Sequence, residues 1–115
     1  MSDLQPKNIL IYRADDNRIR LEVKLEEKNI WLSQKQIGEL FQKSKATISE
    51  HIKNIFQDVE LEPESTVRKF RTVQKEGDRQ VERLTEHYNL DMILAVGYRV
   101  RSHVGTKFRQ WATGV

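Results

Sequence analysis

Between Ser33 and Phe56 the apolar residues keep helical spacing twice and lose it once in between. Ile37, Leu40 and Phe41 fall on one face of a first helix, and Ile48, Ile52, Ile55 and Phe56 stand at the i, i+4, i+7, i+8 spacing of a second. The polar Gln42-Lys43-Ser44 between them is long enough only for a turn. Ser33 can accept from the free N–H groups of the first turn, with Gln36 as its reciprocal partner in a capping box. Two short amphipathic helices joined in this way are the layout of a helix-turn-helix.

The flanking segments read as strands. NILIYR (8–13) and RIRLEVKL (18–25) predict a hairpin across ADDN, and the second run alternates Ile19, Leu21, Val23 and Leu25 against Arg18, Arg20, Glu22 and Lys24. After EEKN, Ile30-Trp31-Leu32 predicts a short strand leading into Ser33. DVELEPES (58–65), with Pro63, ends the helical region. TVRKFRTV and RQVERLTEHY, joined by Lys75-Glu76-Gly77-Asp78, predict a second hairpin, or wing, despite imperfect alternation. Asn89 can cap a third helix whose Leu90, Ile93, Leu94, Val96, Gly97 and Val100 surround it except around Ala95 and Arg99, as in a central buried helix. Gly97 costs that helix about 1 kcal/mol relative to Ala, which implies close backbone packing. Ser102-His103-Val104-Gly105 breaks it. From Thr106, Phe108, Trp111, Ala112 and Val115 form a last apolar stripe, and a chain ending on such a stripe is expected to be the N-terminal part of a longer protein. The expected fold is α+β: a single winged helix-turn-helix-like domain over residues 1–115, with an N-terminal β-hairpin, a second hairpin as wing, and C-terminal helices.

The chain of 115 residues is large enough to bury one core. Its net charge of +3 is unevenly spread. Residues 58–65 carry four acids and no base, residues 34–57 and 66–83 are net basic, and residues 92–115 carry four bases and no acid. No segment approaches the roughly 18 apolar residues of a spanning helix, there is no cysteine, and MSDLQPKN has no signal-peptide pattern. A cytoplasmic location, without membrane contact, is expected. His51, His87 and His103 are scattered, with no metal-ligand spacing; His51 reads as a core-edge residue, and His87 with Asp91 as a weak pair near a helix start. Neither a phosphate-cradling glycine loop nor a nucleophile elbow is present. No catalytic residue, metal, cofactor or small-molecule substrate is expected, and the chain is not read as an enzyme.

The face of the second helix opposite its apolar stripe carries the functional signal. Ala46, Thr47, Glu50, Lys53, Asn54 and Gln57 project there, with Ser49 on the flank: a slim, polar surface suited to a major groove. Lys43, Ser44 and Lys45 precede it, where cations and free N–H groups can hold a phosphate. Arg68, Lys69, Arg71, Lys75 and Arg79 place cations on the hairpin, Lys75 and Arg79 at its tip. Arg99, Arg101, His103, Lys107 and Arg109 cluster about the last helix–helix turn, with Arg101 and Lys107 as further phosphate contacts. The expected partner is duplex DNA. The alternative is a protein-interaction or oligomerisation module, with a homodimer through the C-terminal helix and Phe108 and Trp111 as its anchors.

Three blocks also carry a resemblance: WLSQKQIGELF at Trp31–Phe41, ISEHIKNIF at Ile48–Phe56, and HYNLDMILAVGYRV with GTKFRQWAT at His87–Thr113. Together they resemble the N-terminal region of the RhuM family of bacterial virulence-associated proteins. That resemblance implies a DNA-binding-type domain in proteins of mobile elements, acting in transcription regulation, with full members longer than this chain. The HPFxxGN-type motif that Fic-type AMP transfer needs is absent.

Overall fold

The computed structural model describes residues 8–14 and 18–115. The turn expected at ADDN and the N-terminal segment read for targeting therefore lie outside the described residues, wholly or in part. Five strands form one antiparallel sheet: β1 (Asn8–Ala14), β2 (Ile19–Glu26), β3 (Asn29–Ser33), β4 (Val67–Glu76) and β5 (Arg79–Asn89). Its order is β1-β2-β3-β5-β4. The helices are α1 (Gln34–Phe41), α2 (Lys45–Gln57), the single turn α3 (Pro63–Thr66), α4 (Leu90–Arg99) and α5 (Val104–Thr113). The molecule is α+β, as expected.

The two hairpins are not separate, because β3 pairs with β5 through Trp31↔Asn89, Leu32↔Tyr88 and Ser33↔His87. No periodicity in either segment announces this contact, which is a pairing across 54 residues or more. The helices pack on the face that carries Leu21, Val23, Ile30, Leu32 and Tyr88. Each helix supplies a stripe: Ile37, Leu40 and Phe41 from α1, Ile48, Ile52 and Ile55 from α2, Met92, Ile93 and Val96 from α4, and Phe108 from α5. Burying these side chains out of water, at about 1.5–3 kcal/mol each, is what sets the helices on the sheet. Gly97 has the close approach expected of it: a Cβ there would lie 2.8 Å from Phe41 Cζ.

The other face of the sheet holds a smaller cluster. Trp31, Phe70 and His87 stack edge to face, with ring centroids 6.0 Å apart for Trp31–Phe70 and 5.2 Å for Phe70–His87. Arg68 covers Trp31 from 5.6 Å and pairs with Glu27 at 2.7 Å. Beyond this cluster the β4–β5 hairpin extends with exposed residues on both faces, which explains its weak alternation.

The helical expectations hold in part. The Ser33–Gln36 capping box is present on α1, and Asn89 caps α4 by accepting from Met92 N at 3.1 Å. In α4 the exposed positions are Asp91 and Tyr98 rather than Ala95 and Arg99, so the helix is not enclosed. Met92 is buried in their stead. The last helix starts at Val104 instead of Thr106; its N-cap His103 makes no side-chain bond, and Ser102 Oγ, one residue earlier, accepts from Val104 N at 3.1 Å. Val115 is 53% exposed and lies beyond the helix end, off the covered stripe.

Candidate nucleic-acid interface

The turn between α1 and α2 is built by local chemistry. Gln42 takes a left-handed backbone conformation at φ 57°, and its N–H returns to Gly38 O. Lys43 N also donates to Gly38 O, at 3.0 Å. Ser44 then caps α2: its Oγ accepts from Thr47 N at 3.1 Å and donates to Thr47 Oγ1 at 3.0 Å. Ser44 and Thr47 thus bond each other and fix the entry of the helix, while the Thr47 hydroxyl, an acceptor in this pair, keeps its own proton to donate. Gln34 Nε2 donates to Lys45 O at 3.3 Å and ties the two helix starts together.

The remaining residues of this site are presented outward. Lys43, Lys45, Ala46, Ser49, Glu50 and Lys53 are exposed, and Asn54 is half-buried at the flank with Thr47. None of the three lysines has an ion-pair partner among the described residues. Several arginines elsewhere are paired: Arg71 with Glu82 at 3.3 Å, Arg83 with Glu76 at 2.9 Å, and Arg99 with both Glu60 at 2.9 Å and Asp58 at 3.2 Å. The Arg99 pairs correct one expectation, since the acids that neutralise it come from the end of α2 and not from its own segment.

A groove joins part of the hairpin to this helix pair. A cavity of about 510 Å³ lies among Lys24, Ser33, Lys35, Glu39, Arg71 and Val73. A second, of about 350 Å³, shares Lys35 and Glu39 and continues to Lys43 and Lys45. The outer face of α1 therefore connects the base of the hairpin to the start of α2. Lys35 belongs to this surface and escaped the sequence reading; its i, i+4 spacing with Glu39 on the face opposite Ile37 and Leu40 was the available signal. The hairpin tip is different. Lys75 and Arg79 are exposed beside Gly77, whose φ is 62°, and line neither cavity.

Arg101 and Lys107 are also exposed but belong to another region. Through its pairs with Asp58 and Glu60, Arg99 ties the end of α4 to the C-terminal end of α2, and the 13 residues of α2 span about 20 Å. Arg101, two residues past Arg99, is thus set at the far end from Lys45. The apolar face of α5 is covered within the chain: Phe108 is fully buried, and Trp111 meets the Tyr12 ring edge-on at 5.0 Å. Phe108 and Trp111, the anchors expected for a dimer, thus make these contacts within the chain.

His87 does not pair with Asp91. Its Nδ1–H donates to Thr85 O at 2.8 Å, and it is fully buried on β5 beside the larger cavity. Nε2 has no hydrogen-bond partner among the described residues. Burial, more than the opposing Thr85 bond or the nearby Lys24 ammonium, sets its basicity and pushes the pKa down to about 4. The ring is neutral at pH 7. His51 is half-buried at the edge of the α2 stripe, and His103 is exposed. Among the described residues no cluster of His, Asp and Glu could hold a metal ion, and no helix is long and apolar enough to cross a membrane.

The fold and this surface define a two-layer α+β domain that displays unpaired lysines along a helix pair. Residues 65–115, which run from the α3 turn through β4, β5, α4 and α5, match the model of the Virulence protein RhuM family. The helix pair lies before the matched span. No curated protein and no solved structure matches the chain.

Proposed function

We propose that the chain binds duplex DNA through the start and outer face of α2, as the reading element of a winged helix-turn-helix domain. The observation that carries this reading is the grouping of exposed, unpaired lysines on one helix and the turn before it. Lys43, Lys45 and Lys53 stand exposed and unpaired beside the small residues Ala46 and Ser49, on a helix whose entry Ser44 fixes. Cations left unpaired on a rigid, slim helix face suit phosphate contact and close approach to base edges. The order of strand, helix pair and hairpin, with β3 hydrogen-bonded to the returning strand β5, also fits a winged domain.

Ser49, Glu50 and Asn54 are the residues in reach of base edges, and Lys43, Lys45 and Lys53 those for phosphates, with Lys35 added. Arg71 at the base of the hairpin continues the surface; Lys75 and Arg79 are placed for a more distant backbone contact. A transcription-regulating role in the cytoplasm, without catalysis, goes with this reading.

Fluorescence anisotropy with a labelled random-sequence duplex and the matching single strand, at two salt concentrations, tests it. Duplex-preferring binding that falls steeply with salt, and is lost in Lys45→Ala/Lys53→Ala, is the expected result. Equal affinity of this variant and the parent chain would end the assignment.

A further inference from the structure

We propose that the notch between β2, the start of α1 and the base of the β4–β5 hairpin is a binding site for a small organic anion, one that joins a carboxylate to an apolar body. The notch follows from strand pairing. β3 pairs with β2 as far as Lys24↔Trp31 and with β5 as far as Ser33↔His87, and past Ser33 the chain turns into α1. β2 and β5 then run on with no strand between them among the described residues. A cavity of about 510 Å³ opens there, a size that suits a metabolite. Motifs in the residue order point to no small-molecule substrate; this space is made by pairing across the chain.

The polar groups in its wall are ones the fold leaves without partners. Lys24 lines the cavity and is only 9% exposed, yet its ammonium has no hydrogen bond or ion pair among the described residues. Burial pulls its pKa below the usual lysine value; Glu22 opposes this but pairs with Arg20, at 3.9 Å, and not with Lys24. A buried ammonium left alone is destabilising, and an anion in the cavity offsets that cost. Ser33 Oγ accepts from Gln36 N, and its own proton is free among the described residues. His87 completes the wall as a fully buried ring whose Nε2 has no partner among the described residues either. The other charges are committed or balanced: Arg71 pairs with Glu82 at 3.3 Å, and Lys35 and Glu39 stand one turn apart on the exposed rim. Lys24 is thus the positive charge held at the floor. Ile9 and Val73, 54% and 62% exposed, border the same cavity and supply its apolar side. A carboxylate for Lys24 and Ser33, on a body that lies against Ile9 and Val73, is the chemistry this wall can recognise.

The test is a titration of the whole chain with benzoate, without nucleic acid, followed by NMR of the histidine rings and by calorimetry. The expected result is a dissociation constant of about 1 mM, within reach of so small a ligand, with shifts of the His87 ring and none of His51 or His103. Inorganic phosphate and benzyl alcohol each carry half of the chemistry and are expected to bind about tenfold more weakly or worse. Lys24→Met raises the benzoate constant about tenfold or more while leaving the melting temperature equal or higher, because an apolar side chain of similar length replaces an unpaired, buried ammonium. A silent His87 at about 10 mM benzoate, phosphate or benzyl alcohol as good as benzoate, or Lys24→Met binding like the parent chain overturns the proposal. So does a Lys24→Met chain that loses duplex DNA together with benzoate, since the notch would then be part of the nucleic-acid surface. The DNA reading is tested on Lys45 and Lys53, which lie outside this cavity, so either reading can fail alone.

Discussion

The helix-covered body and the β4–β5 hairpin are held by different means. In the body each stripe residue disappears between layers, and Ile37, Leu40, Ile48 and Ile55 have no exposed surface. From Lys69 outward the hairpin strands pair mainly with each other, with Phe70 the one fully buried side chain and Val73 and Leu84 left 62% and 52% exposed. Cross-strand contacts such as Thr72 Oγ1 to Thr85 Oγ1 at 2.7 Å, and the two 2.9 Å bonds from Arg83 to Glu76, stand in for a core. The contrast teaches that burial, not strand length, makes a pattern strict: the ten-residue β4 alternates less cleanly than the eight-residue α1 segregates.

The largest test of that contrast is removal of a side chain from the body. Ile48→Ala is expected to cost about 2–5 kcal/mol in urea unfolding, because a cavity remains between layers that cannot collapse fully. A loss as small as that of a hairpin residue would mean that the helices pack more loosely than the burial shows.

The junction between the two regions responds to acid. His87 is neutral in the folded chain, with a pKa of about 4 against about 6.5 in the unfolded one. Its contribution is complete above pH 6.5 and is lost as pH falls toward 4, because the unfolded state takes up the proton first. The loss amounts to about 3 kcal/mol by pH 4. An NMR titration of the ring with its midpoint near 6.5 would show a solvated junction instead.

Gly97→Ala is next in size. Its gain in helix propensity is outweighed by a Cβ 2.8 Å from Phe41 Cζ, for a net loss of about 1–3 kcal/mol read as a lowered melting temperature. Smallest is Val73→Ala on the exposed hairpin, expected within about 0.5 kcal/mol of the parent chain. A larger loss there would reveal a cover over the hairpin.

Much of the body was legible from residue order. Ser33 and Asn89 announce their helices because a cap is chemistry within four residues, and the stripe of α2 stands out because one face alone is wet. The outward face of α2 was readable for the same reason, as the complement of that stripe. Lys35 was passed over, since an exposed Lys on a helix is ordinary until a groove is seen to run past it. Ser44 and Thr47 were legible as polar residues but not as mutual partners. Both helix stops were legible near 58–65 and 102–105, but the left-handed backbone at Val59 (φ 55°) and Arg101 (φ 56°) gave no warning, because that position is read from glycine and none stands there.

Residue order by itself thus determined the helix pair, the caps at Ser33 and Asn89, the hairpins and the separation of acidic from basic segments, all of which depend on neighbours a few positions apart. Tertiary structure alone decided that β3 joins β5, that His87 is sealed against Phe70, and that Arg99 finds its acids just past the end of α2. Those outcomes join residues 17 to 54 or more positions apart, and such contacts form only where the chain as a whole finds its best burial.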